Sequence, residues 1–240
     1  PFGMALGVIG ILYGAVLAFA QTDLKRMVAY TSVSHMGFVL LAVFAWNTLA
    51  LQGAIMQMIC HGLATGALFI IVGMLKERMH TRDIRDMGGL WETAPRMGAV
   101  TLVFAVASLG LPGLGSFVAE LFILIGSYQA SAPMTIIAAF GLILSTVYSL
   151  WIMYRVFYGA NDKNWRIADL NAREAVTMAS MIAGLLWLGL YPRPVIDTAE
   201  PSVRVIQEAA KAHPVALDKE VWTEVERLLD SYDSGQEGLQ

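Results

Sequence analysis

Apolar stretches of about twenty residues recur along the chain, and charged residues gather in the short segments between them. A run of that length crosses the roughly 30 Å hydrocarbon core of a bilayer as one helix, where no water satisfies an open backbone. The chain is therefore restricted to an all-α, polytopic membrane helix bundle. Composition agrees: of 240 residues, 57% are hydrophobic and 15% charged, against about 45–50% and about 25% in soluble domains. The net charge of −3 points to no nucleic acid, because the basic residues sit in loops between spans. One cysteine, Cys60, lies inside an apolar run, so no intrachain disulfide is possible and no metal or redox framework is suggested. The first residue is Pro1, and apolar sequence begins at once without a basic leader. The chain is expected to start within a longer protein.

Six transmembrane helices are expected, over residues 4–20, 27–46, 51–75, 97–126, 134–158 and 174–191. They divide the chain into a bundle, 1–197, and a polar C-terminal tail, 198–240. In the tail, 201–211 and 217–229 are charged and modestly amphipathic, and the last ten residues read as disordered. Lys and Arg concentrate after span one (Lys25, Arg26), after span three (Lys76, Arg78, Arg82, Arg85, Arg96) and around the end of span five (Arg155, Lys163, Arg166, Arg173). The opposite loops, near Asn47 and Ser131, carry none. The loops after spans one, three and five are thus expected in the cytoplasm and the tail outside. Asp23, Lys25 and Arg26 read either as snorkelling surface charge or as an inward-turned ion pair.

Span four carries GLPGLGSFVAE, Gly110 to Glu120. Pro112 removes a backbone donor, and Gly110, Gly113 and Gly115 have no side chain to stiffen a helix. The span should open at Gly110–Ser116 into two half-helices, as broken backbone in lipid survives only against protein or a wet cavity. Ser116 can cap the second half, placing Glu120 one turn inside it. Thirteen residues from Met97 to Leu109 rise about 20 Å, so Glu120 is expected in the outward half. An ionisable group at that depth reads as functional. The plainer alternative is a carboxyl that only caps or bonds a neighbouring helix.

Span two begins with Tyr30, Thr31, Ser32, Ser34 and His35, and span three carries Gln57, His61 and Thr65 at spacing four. The latter share one face and can bond or hold water along it. Histidine, with its ordinary pKa near neutral, suits a relay that accepts and releases a proton. Hydrogen bonds to neighbouring helices are the alternative role. The four histidines, His35, His61, His80 and His213, have no local second ligand at a coordinating spacing. GLPGLG follows no strand, which excludes a nucleotide loop.

Three stretches, TDLKRMVAYTSVSHMGFV, QMICHGLATGALFIIVGMLKERMHTRDIRDMGGLW and SLGLPGLGSFVAEL, resemble the chain M family of proton-translocating NADH:quinone oxidoreductase, the respiratory complex I subunit 4 counterpart. Multisubunit sodium/proton antiporter subunits are relatives. The resemblance runs from about Gly7 to Asp197. It implies an antiporter-like fold of fourteen helices with two inverted repeats, of which this chain matches the second repeat plus the final helix. It further implies that Glu120, His35 and His61 form the outward part of a hydrated proton path. Glutamate after the break points to chain M, since sister chains typically carry lysine there. The implied setting is the bacterial inner membrane, with other membrane subunits, the lipid bilayer and protons as partners. The implied cofactors, FMN and iron–sulphur clusters, belong to other subunits and none to this chain. Alternatives are a cation/proton antiporter subunit and a non-transporting scaffold of a hydrogenase-like complex.

Overall fold

The computed structural model describes residues 1–212 and Arg227, so the expectations for 217–229, apart from Arg227, and for the last ten residues lie outside it. Among the described residues eight α-helices follow in order: α1 (Phe2–Phe19), α2 (Leu24–Ala45), α3 (Thr48–Met79), α4 (Pro95–Ser108), α5 (Gly115–Ala130), α6 (Ala132–Met153), α7 (Ala172–Leu190) and α8 (Arg193–Ala212). By length and composition α1, α2, α3, α6 and α7 can each cross a membrane, whereas α4 and α5 are shorter apolar helices. Together α4 and α5 are the two halves of the broken fourth span. The described residues form two units, 1–200 and a second beginning at Pro201, which lies inside α8.

Local chemistry sets the helix starts. Asp23 accepts from the Arg26 amide at 3.0 Å at the head of α2. Asn47 accepts from the Ala50 amide at 2.9 Å at the head of α3, and its Nδ2 donates to the Gly126 carbonyl at 2.6 Å, tying α3 to α5. Asn171 and Glu174 form a reciprocal capping box on α7. Asp169, just before it, accepts from the Arg96 and Met97 amides at 2.9 Å each. A carboxylate from another loop thus supplies the cap that Ala94 cannot give α4.

The basic end of the bundle is locked by polar contacts. Arg78 pairs with Glu174 at 2.8 Å, Arg82 with Asp23 at 3.2 Å, and Lys163 with Asp86. Trp165 Nε1 donates to the Asp86 carbonyl at 2.7 Å. The Arg85 side chain, hydrogen-bonded to Asp83, holds that carboxyl down to about 2. Asp23 is therefore both the cap of α2 and an ion-pair partner, though of Arg82 rather than Lys25.

Elsewhere the helices meet through small residues, the means by which backbones approach closely in a bilayer. A Cβ on Gly7 would lie 2.7 Å from the Leu41 nitrogen, and one on Gly14 2.6 Å from that of Ser34, which joins α1 to α2. Gly53 and Gly126 do the same between α3 and α5.

Ser116 does not cap the second half-helix. Leu114, extended at φ −106° and ψ 150°, is the residue before α5, and no side chain bonds the helix start. The chain leaves the break through Gly113 at φ +97° and enters the helix at Gly115, which draws Ser116 into the first turn. Glu120 is consequently the sixth residue of α5, beyond the turn where a helix dipole acts strongly.

Candidate functional site

Between Ser108 and Gly115 the backbone leaves the α-helical ladder. The Gly110 amide bonds the Ala107 carbonyl and the Leu111 amide that of Val106, while Leu114 bonds Leu111 across the turn. Gly110 sits at φ +74°, and a Cβ there would come 2.5 Å from Glu120 Oε2. Only glycine satisfies both conditions, so the Glu120 carboxyl rests directly on the bare backbone of the break.

Glu120 is 3% exposed. Its Oε1 lies 3.5 Å from His35 Nδ1 and accepts from Gln57 Nε2, also at 3.5 Å. Both contacts are long, and among the described residues His35 Nδ1 and Gln57 Oε1 have no hydrogen-bond partner. The opposite ring nitrogen of His35 shares a 3.0 Å hydrogen bond with the Tyr148 hydroxyl. Tyr148, 1% exposed, is wedged edge-on against Phe19 and against the His35 ring.

His61 lies next along α3, its ring centroid 5.5 Å from that of His35. Both of its nitrogens meet hydroxyls: Nε2 meets Ser32 at 2.6 Å and Nδ1 meets Thr65 at 3.1 Å. Hydroxyls donate and accept, so either neutral tautomer and the imidazolium all find partners. His35 is buried, whereas His61 and Ser32 are half-buried. The result is a polar line inside an apolar bundle: Glu120 on α5, His35 on α2 with Tyr148 on α6, then His61 on α3 between two hydroxyls. Such a line can hold a proton at a carboxylate or at either imidazole.

The fold therefore brings together Glu120, His35, His61, Gln57, Thr65 and Gly110. Gly115 abuts the site's wall, where an added Cβ would meet Cys60 Sγ at 2.5 Å. Pro112 and Gly113 form the break, Gly113 at φ +97°, and Ser116 is buried. Asp23 and Lys25 are elsewhere, twelve and ten residues before His35 on α2, about 18 and 15 Å along the helix. Tyr148 is absent from the sequence-based set. Ser145, Tyr148 and Ser149 form a buried polar stripe at helical spacing, which the sequence alone does not tell apart from ordinary packing. Among the described residues no group of three or more His, Cys, Asp or Glu could hold a metal ion.

Residues 1–146 match the family model described as NADH:quinone oxidoreductase/Mrp antiporter, transmembrane. The chain is 50% identical over 208 residues to NADH-quinone oxidoreductase subunit M of Pseudomonas aeruginosa, covering 87% of this chain and 41% of that one. To the protein of the same name from Escherichia coli K12 it is 48% identical over 211 residues, covering 87% and 42%. A chain of respiratory complex I from Thermus thermophilus superposes with a TM-score of 0.78 at 32% identity, covering 85% of this chain and 44% of that one. The chain thus spans about two fifths of the length of the curated relatives it matches.

Proposed function

We propose, from the premise that this chain belongs to the NADH:quinone oxidoreductase/Mrp antiporter transmembrane family, that it forms the outward half of a proton path in a membrane subunit of NADH:quinone oxidoreductase. The names of its relatives support the complex, and one observation carries the chemistry. It is a carboxyl, 3% exposed, seated on unwound backbone and 3.5 Å from an imidazole inside an apolar bundle. A buried carboxyl without full hydrogen bonding is expensive as a purely structural element.

In this reading Glu120 and His35 exchange a proton directly. The Tyr148 hydroxyl accommodates the change of His35 tautomer, and His61, flanked by Ser32 and Thr65, carries the proton onward. The 5.5 Å between ring centroids is a gap that a water molecule or a small side-chain movement bridges. Moving one charge against the membrane potential costs about 2.3 kcal/mol per 100 mV, so the path works only when charge changes elsewhere in the complex shift these groups. Flavin and iron–sulphur chemistry belongs to other subunits. The loops after the first, third and fifth spans face the cytoplasm of a bacterial cell.

The test uses the full-length subunit in its complex, in inverted membrane vesicles. Glu120→Gln keeps shape and removes the titratable group; proton pumping should fall, together with coupled NADH oxidation, while the complex still assembles. Normal pumping by assembled mutant complexes would make Glu120 a structural residue. The family model also embraces Mrp antiporters, and sodium transport independent of NADH would favour that second reading.

A further inference from the structure

One cavity of about 780 Å³ lies far from Glu120, at the basic end of the bundle. Its main wall is a single stripe of α3: Phe69, Val72, Gly73, Lys76, Glu77 and the following His80. The spacing of three and four keeps these residues on one face. Along that face the chemistry changes from apolar to charged over eleven residues, or about 16 Å. Lys25, from the first turn of α2, and Arg82 complete the rim. A smaller cavity of about 370 Å³ shares Lys76, His80 and Arg82 and adds the hydroxyl-bearing Thr22 and Thr81, together with Asp23 and Asp83.

Three features suit one ligand class. The rim of the larger cavity carries three cations, Lys25, Lys76 and Arg82, against the single carboxylate of Glu77. Asp23 already engages Arg82 and Asp83 engages Arg85, whereas Lys25 and Lys76 are in no ion pair among the described residues. Below the lysines, Gly73 opens the wall: a Cβ there would meet nothing within 4 Å. A cationic rim over an apolar slot, at the end of a helix long enough to cross the bilayer, complements a phosphate headgroup with its acyl chain below.

We propose that this cavity binds an anionic phospholipid, its phosphate between Lys25 and Lys76 and one acyl chain against Phe69, Val72 and Gly73. The site rests on the membrane setting of the chain and not on the role of Glu120. Two consequences separate headgroup from tail. Loss of a lysine weakens binding of anionic lipid by about fivefold per cation, and filling the slot at Gly73 displaces the tail with the charges intact.

The experiment takes the full-length subunit in its assembled complex, reconstituted in phosphatidylcholine with a minority of phosphatidylglycerol. Lipid retained after detergent wash is quantified by mass spectrometry. Lys76→Ala should reduce phosphatidylglycerol retention about fivefold, Lys76→Arg should restore it, and Gly73→Phe should abolish it while the complex stays assembled. Glu120→Gln should leave retention unchanged, which separates this site from the proton path. Equal retention by wild type and the Lys76→Ala and Gly73→Phe variants overturns the proposal. So does phosphatidylcholine held as firmly as phosphatidylglycerol, or displacement by inorganic phosphate as readily as by a short-chain phosphatidylglycerol. The last outcome marks a bare anion site, and the first marks a cavity covered by the rest of the protein.

Discussion

The Tyr148 hydroxyl can donate to His35 Nε2 or accept from it, and that choice dictates what the other ring nitrogen presents to Glu120. When Tyr148 donates, Nδ1 keeps the ring hydrogen and faces a carboxylate. When it accepts, Nδ1 is bare and can receive a proton from the acid form. Tyr148→Phe removes both states and strands Nε2 in a buried site, at a cost of about 1–3 kcal/mol. Protons pumped per NADH oxidised should fall several-fold in assembled complexes, measured in the same vesicles as for Glu120→Gln; an unchanged ratio would reduce Tyr148 to packing. The ionisable residues of the line could be read from the sequence because a titratable group within an apolar run is costly to keep unless it serves a function. Tyr148 could not be, since within STVYSLW a tyrosine is an ordinary packing aromatic until three-dimensional contact gives its hydroxyl a partner.

The two half-helices were legible as a break because proline and three glycines interrupt an apolar run too long for one crossing. Their cap was misjudged because two glycines with positive φ carry the chain past Ser116's expected place, a matter of backbone path and not of residue type. What holds the break in position was hidden as well. Helix α7 reads as plain apolar sequence, yet a Cβ on Gly189 would lie 2.6 Å from backbone carbons of Gly113 and Leu114. The two segments touch main chain to main chain. Gly189→Leu should therefore push α7 off the break, with an overpacking penalty at or above the usual range of about 1–3 kcal/mol. Gly184→Ala on the same helix meets only the flexible end of Leu63, at 3.3 Å, and should be tolerated. The fraction of subunit that remains in the complex after detergent extraction compares the two.

Taken whole, the described helices leave large apolar side chains exposed on several faces, among them Ile9, Tyr13 and Val16 of α1 and Met58 and Ile59 of α3 beside His61. Such surface is ordinary against lipid or further helices, and the match of this chain covers about two fifths of its relatives' length. The overall architecture followed from run length alone, whereas convergence of four helices on one polar line required knowing which small residues face each other. In the proposed path every member is amphoteric: the carboxyl, both imidazoles, and the hydroxyls of Tyr148, Ser32 and Thr65 each give or take hydrogen. Glu120→Gln should therefore lower NADH-driven outward flux and flux driven inward by an imposed potential by the same factor, measured in proteoliposomes of the assembled complex. A conductor built from reversible links has no diode within it. In this reading, whatever rectifies the current is imposed on His61 and Ser32 from their half-exposed side.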